Sequence, residues 1–317
     1  MHEEVIEMKG SDGKIRRGIL CLPHVNDASA TAALLLMPSG LKYHIGPHRW
    51  NVKLARALCQ AGVASLRFDP LGVGESDESL ATATTRTHWR FVEQGGFVDD
   101  TLLAAQVLQK RLPNVPVVAV GLCGGAVTAQ LAAAKRPDLI MALVSLNTAI
   151  TLSPLETQPA PTVSHSRAQH HFKNYAMKVF SKAAWQRVFR GESDIRGILR
   201  VLGTVALTVF HRKKLDTLPS VPNENPGFMQ SFRALEQRAL PHLLVFSGND
   251  NRWLDFQEGV LSRYLRGERA GVAYEIKVVA DANHEIHYTT WQQQTLDAIR
   301  EWIAKTFNQG GFLTHAV

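Results

Sequence analysis

Apolar positions along the chain fall into two kinds of run. Short, largely unbroken apolar blocks alternate with longer stretches in which apolar residues return every three or four positions. The blocks Ala32–Met37, Val63–Phe68, Val115–Val120, Met141–Leu146, His242–Phe246 and Tyr274–Val279 predict strands, the first of them buried. The periodic stretches Arg49–Ala61, Phe97–Leu112, Ala126–Ala134 and Trp291–Thr306 predict helices; Gly62 stops the first and Pro113 follows the second. Residues 3–23 predict a pair of strands around the turn Ser11-Asp12-Gly13. Strand–helix alternation of this kind predicts an α/β fold with a mostly parallel sheet and helices on both faces. The alternation breaks between about Thr151 and Leu235, where the chain turns Pro-rich, then basic and helical. An insertion of that size in a parallel sheet reads as a cap over the active-site edge. The expected division is a core of residues 1–150 and 236–306, a helical cap of 151–235 and a flexible tail of 307–317.

Composition narrows the picture. With 317 residues, 45% apolar and 20% charged, the chain can bury a sizeable core, which excludes wholesale disorder. It has no run of eighteen apolar residues, so no transmembrane segment is expected. The opening MHEEVIEMKG is acidic and lacks an apolar signal core. Three scattered cysteines, Cys21, Cys59 and Cys123, make neither a disulfide framework nor a zinc site. The expected location is the reducing cytoplasm. The net charge of +7 is uneven: residues 160–215 hold eleven Lys or Arg against Glu192 and Asp194, a local +9 that leaves −2 elsewhere. Such a segment is either a solvated face or a surface for an acidic partner, an anionic substrate or a membrane.

The sharpest chemical feature is Val117-Val118-Ala119-Val120-Gly121-Leu122-Cys123-Gly124-Gly125-Ala126. It reads as strand, Gly-x-Cys-x-Gly turn and helix, the context of a nucleophile elbow. Flanking glycines make room for a tight turn, and the helix N-terminus favours a thiolate at Cys123. The bland alternative is a small buried residue, which is the preferred reading for Cys21 and Cys59. A nucleophile of this kind needs a base and a group to orient it, in the chain order acid then His. The strand His242–Phe246 runs out into Ser247-Gly248-Asn249-Asp250, and Tyr274–Val279 into Ala280-Asp281-Ala282-Asn283-His284. Asp250 and His284 are therefore the candidates. Asp281 competes as the acid but reads better as a loop cap. Asp255 reads as the cap of a following helix. His287 lies about one turn too far along, and His44 and His48 lie near the predicted oxyanion loop. Oxyanion donors are expected from the N–H of Gly124 and, in Pro38-Ser39-Gly40-Leu41, from that of Leu41, with Gly40 or Ser39 as alternatives. The stretch Arg67-Phe68-Asp69-Pro70-Leu71-Gly72-Val73-Gly74-Glu75-Ser76 matches no phosphate-loop fingerprint and reads as a structural turn, with Asp69 and Arg67 bonding loop backbone. No metal or cofactor constellation and no nucleic-acid motif is present.

These pieces together resemble the α/β-hydrolase superfamily over nearly the whole chain. More narrowly the sequence is similar to the first group of exosortase A system-associated hydrolases. That likeness rests on Gly46-Pro47-His48-Arg49, Gly121-Leu122-Cys123, Ala184-Trp185 and Ser247-Gly248-Asn249-Asp250. It departs from the group at Asn283-His284, where Asp-His is common. The resemblance implies a hydrolase fold with a lid and bacterial polysaccharide or protein-sorting loci. A Gly-x-Cys-x-Gly elbow also occurs in dienelactone hydrolases and polyhydroxyalkanoate synthases, so the cysteine alone does not separate hydrolysis from acyl transfer. The expected activity is cleavage of an ester or thioester through a covalent acyl-enzyme. Acyl transfer with the same triad and non-catalytic binding are the rivals. An acidic acyl carrier protein at the basic cap is the expected partner beside a small acyl substrate.

Overall fold

The structure is a computed structural model, and it describes residues 1–23, 30–40, 42–80, 84–154, 221, 223–262 and 274–307. Eight strands form one sheet: β1 (His2–Lys9), β2 (Ile15–Leu22), β3 (Ala33–Leu36), β4 (Ala64–Phe68), β5 (Val117–Leu122), β6 (Ala142–Leu146), β7 (His242–Ser247) and β8 (Tyr274–Val279). Their order is β1-β2-β4-β3-β5-β6-β7-β8. β1 pairs antiparallel with β2 and β2 antiparallel with β4; every later pairing is parallel.

The apolar blocks of β3 to β7 are buried throughout, as coverage on both faces requires, whereas β8 at the sheet edge buries only Val279. Alternate residues of one strand enter different cores. In β3, Leu34 and Leu36 join the core that holds Trp50, Leu54, Ile299 and Trp302, whereas Ala33 and Leu35 join the one that holds Leu102, Leu108 and Ala132. The first lies under α1 (Trp50–Gln60) and the C-terminal helix α7 (Thr289–Phe307), the second under α3 (Val98–Arg111) and α4 (Gly124–Lys135).

Three described helices differ from the sequence reading. The first, α2 (Thr85–Glu93), is capped by Thr84 and buries only Val92 and Glu93, too little to leave an apolar stripe. The next, α5 (Pro226–Gln237), starts at Asn225, whose side chain accepts from the N–H groups of Gly227 and Phe228. It lies in the segment expected to form the cap. Here it packs on α4, burying Phe228, Met229 and Phe232, and Gln130 Nε2 of α4 donates to Phe228 O and Ser231 Oγ at 2.9 and 2.8 Å. The third, α6 (Asn251–Phe256), continues into a π-helical turn, Gln257–Leu261. Asp255 is buried within α6 rather than capping it; the cap is Asp250, whose Oδ1 accepts the Arg252 N–H at 3.1 Å. Most of the expected cap, residues 155–220, and the tail beyond Phe307 lie outside the described residues.

Arg67 also departs from expectation. Its guanidinium donates to Glu3 Oε1 at 2.9 Å, tying β4 to β1 rather than bonding the loop. Asp69 does bond the loop, as the next section describes.

Candidate active site

The C-terminal ends of the parallel strands bring the chemistry together, as open α/β sheets do. β5 ends at Leu122, α4 begins at Gly124, and Cys123 stands between them with φ 56° and ψ −116°. A non-glycine residue rarely adopts such angles, and the surrounding structure must hold it there. Cys123 N–H donates to Leu146 O at 2.8 Å, anchoring the turn to β6. The flanking glycines are required by close approach. A Cβ on Gly121 would collide with the backbone of Gly125, and one on Gly125 would lie 2.5 Å from Pro38 O.

His284 comes from the loop after β8 and Asp250 from the loop after β7. His284 Nδ1 lies 2.6 Å from Asp250 Oδ2. The same imidazole and Cys123 act on each other's ionisation. Asn147 holds this arrangement from below. Its Nδ2 donates to Ser247 Oγ and to His284 O at 2.8 and 2.9 Å, and its Oδ1 accepts the Ser247 N–H at 2.7 Å.

The electrostatics favour a charge-separated pair. Burial pushes the Cys123 thiol up, but the His284 hydrogen bond, the Arg252 and His284 charges and the Gly124 N–H together bring it below its ordinary value. Burial pulls His284 down, but hydrogen bonds to Asp250 and Cys123, and their charges, raise it to about 10. Cys21 and Cys59 behave oppositely: burial raises both thiols, as expected of structural cysteines.

The Gly124 N–H stands at the start of α4 and helps to lower the Cys123 thiol. The loop after β3 supplies Pro38, Ser39 and Gly40 beside it; Leu41 lies outside the described residues. Ser39 Oγ is buried and has no hydrogen-bond partner among the described residues. Asp69 fixes this loop from β4. Its Oδ1 accepts the His44 N–H at 2.6 Å, while Oδ2 pairs with His44 Nδ1 at 2.8 Å and accepts the Glu75 N–H at 3.0 Å. His48, His287 and Glu285 form a separate surface group, with His48 Nε2 3.1 Å from Glu285 Oε2 and 3.1 Å from His287 Nδ1. Asp281 is exposed, and its backbone carbonyl accepts from Asn249 Nδ2. Among the described residues no group of three His, Cys, Asp or Glu is placed to hold a metal ion.

Sequence reasoning missed three residues here. Trp89 of α2 lies against Gly40, where an added Cβ would strike its ring, and 3.7 Å from where a Cβ on Gly124 would stand. Glu93 of α2 is buried and accepts from Ser153 N–H and Oγ–H at 2.5 and 2.9 Å. Arg252 of α6 donates to Thr151 Oγ1 at 3.0 Å. The signal for Arg252 was available: it lies two residues after Asp250.

A mostly parallel sheet, with a strained residue at a strand-to-helix turn facing a histidine and an aspartate from the loops after later strands, defines an α/β-hydrolase. Residues 29–208, more than half of the chain, match the family described as serine aminopeptidase, S33, and the chain belongs to that family. In this member the residue at the turn is Cys123. No curated protein matches the chain. Solved structures share its fold at low identity. Est1E of Butyrivibrio proteoclasticus, with ferulic acid bound, is 14% identical with a TM-score of 0.54, covering 95% of this chain and 99% of that one. A dienelactone hydrolase of Anabaena variabilis is 16% identical with a TM-score of 0.54, covering 96% and 97%. The Pyrococcus furiosus esterase PF2001 is 12% identical with a TM-score of 0.56, covering 96% and 92%. No described helix is long and apolar enough to cross a membrane.

Proposed function

We propose that this α/β-hydrolase uses Cys123 as the nucleophile, His284 as base and acid, and Asp250 to orient His284, cleaving an ester or thioester through an acyl-enzyme. The observation that carries the reading is Cys123 in a strained turn at the start of α4, facing a His284–Asp250 pair at 2.6 Å. In the first half-reaction the Cys123 thiolate forms a C–S bond to the carbonyl carbon. The carbonyl electron pair moves onto oxygen, where Gly124 N–H and, in this proposal, Leu41 N–H receive it. When the pair returns, the bond to the leaving group breaks, and the leaving atom takes the His284 proton. Water then gives its proton to His284, its oxygen attacks the enzyme thioester, and Cys123 leaves as thiolate.

Acyl transfer to an alcohol or amine uses the same steps with another nucleophile in place of water. The apolar wall of Trp89 and Val92 beside Gly40 and Gly124 favours that second reading, because a drier site slows hydrolysis of the thioester. A thiol also exchanges with a thioester at little thermodynamic cost, so acyl groups on coenzyme A or a carrier protein suit Cys123. We place the chain with the exosortase A system-associated hydrolases on its Gly46-Pro47-His48-Arg49 and Gly121-Leu122-Cys123 segments. The proposed cap narrows to about residues 155–220, since α5 packs on α4. Its basic charge would receive an acidic acyl carrier protein.

Intact-protein mass after mixing with acyl-coenzyme A thioesters and activated esters tests this reading. A transient acyl adduct on the wild type, absent from Cys123→Ala, is the expected result. Decay of that adduct in water assigns hydrolysis, and persistence until an alcohol or amine is added assigns transfer. Full turnover by Cys123→Ala would overturn the assignment of Cys123.

A further inference from the structure

Two helices, α6 and α2, hold the loop that follows β6. Arg252, in the first turn of α6, donates to Thr151 Oγ1 at 3.0 Å. Glu93 and Arg90 of α2 hold the next turn of the same loop, through Ser153 N–H and Oγ–H and through Ser153 O at 3.1 Å. The loop itself begins just after Leu146, whose carbonyl receives the Cys123 N–H. A half-buried guanidinium is thus brought to the edge of the site by two anchors, its helix and Thr151.

The acids nearest to it, Glu93, Asp255 and Asp250, are already engaged. Asp250 uses Oδ1 for the Arg252 backbone N–H and Oδ2 for His284. Glu93 uses both oxygens for Ser153. Among the described residues no carboxylate lies within ion-pair distance of the Arg252 guanidinium; its side-chain hydrogen bond goes to the neutral Thr151 hydroxyl. One edge of a planar five-donor fork is therefore occupied, and the donors that remain match a carboxylate. Asp250 links the first turn of α6 to His284, which sets Arg252 two residues from the group that orients the base, and its charge acts on the Cys123 thiol.

We propose that Arg252 is a specificity-determining residue that binds a carboxylate on the acyl group, so that the preferred substrates are half-esters or half-thioesters of short dicarboxylic acids. This rests on Cys123 as the acyl carrier. An aliphatic acyl group of the same length leaves the fork unpaired and pays its desolvation without return, which is the source of discrimination.

The test compares kcat/KM for p-nitrophenyl hydrogen glutarate and p-nitrophenyl valerate in wild type, Arg252→Gln and Arg252→Lys. The wild type is expected to favour the glutarate at least tenfold. In Arg252→Gln that ratio should fall at least tenfold, mainly through KM on the glutarate, whatever loss the two substrates share. Arg252→Lys should retain part of the preference, since it keeps the charge but not the fork. A wild-type ratio near one, or an equal ratio in wild type and Arg252→Gln, overturns the proposal; the latter would leave Arg252 acting only on the thiol or on folding. Calorimetric titration with glutarate, which needs no turnover, judges Arg252 separately from Cys123. Binding at least tenfold weaker in Arg252→Gln, or at least threefold weaker in Arg252→Lys should Arg252→Gln not fold, is expected. Equal Kd values overturn the proposal. Turnover by Cys123→Ala with glutarate binding still dependent on Arg252 would instead remove the nucleophile assignment and leave the anion site standing.

Discussion

At the scale of the residue, the opposed shifts of Cys123 and His284 fix the shape of a pH profile. The thiol ionises below its ordinary range and His284 keeps its proton up to about 10. The thiolate–imidazolium form therefore exists between those two values. Ester kcat/KM should rise as pH climbs through the lowered thiol value, hold through neutrality and fall as pH passes about 10. His284→Ala removes the partner but not the burial, so the thiol should move upward. The iodoacetamide alkylation rate against pH should show its midpoint displaced to higher pH in that variant; an unmoved midpoint would mean that His284 does not act on the sulfur. In folding, a raised His284 contributes stability that is fully present below its unfolded value of about 6.5 and is lost as pH rises through about 10. Asp69 is a residue of a different kind. It is fully buried and its carboxylate serves His44 and Glu75 three times over. Asp69→Ala should cost about 2–4 kcal/mol, from the two buried His44 donors and the part-buried Glu75 N–H left without a partner, measured by urea denaturation.

At the scale of the element, the turn from β5 to α4 is set by contact distances rather than by propensity. Gly121→Ala drives a Cβ into the backbone of Gly125 at the start of α4. Neither backbone can yield without moving Cys123, so a loss of about 1–3 kcal/mol is expected in thermal or chemical unfolding, together with a loss of esterase turnover greater than stability alone explains. Gly40→Ala acts through α2: its Cβ meets the Trp89 ring, so α2 must shift from the elbow. A change in tryptophan fluorescence and in acyl-length preference should follow. The elbow was legible in the sequence because its glycines have one physical use. α2 was not, since its nine residues bury two side chains and carry no periodic stripe. α5 was read as cap, because adjacency to a Pro-rich, basic stretch hid the 226–237 periodicity that packs it on α4.

At the scale of the whole molecule, charge is divided between a near-neutral body and a segment of residues 160–215 with a local +9. If an acidic carrier protein delivers the acyl group, kcat/KM for the acyl-carrier protein should fall steeply between about 50 and 200 mM salt, as screening shortens the reach of that charge. The same acyl group on a small pantetheine thioester should show little salt dependence. Equal salt dependence for the two donors would remove the carrier protein from the proposal.

Local pattern by itself determined the strand blocks, the parallel sheet, the Gly-x-Cys-x-Gly turn and the chain order Cys123, Asp250, His284. Those features depend on nearest neighbours, on burial of whole strands and on backbone sterics, all of which are written locally. Chain order favoured Asp250 over Asp281, but the contact with the imidazole, and the surroundings in which Asp250, Asp255 and Asp281 differ, belong to the tertiary structure. Asp250 pairs with His284, Asp255 is buried within a helix and Asp281 faces solvent. Tertiary structure also decided that Arg252 meets Thr151 and Glu93 meets Ser153, since residues from separate helices and loops meet only when the sheet brings the ends of its parallel strands to one edge.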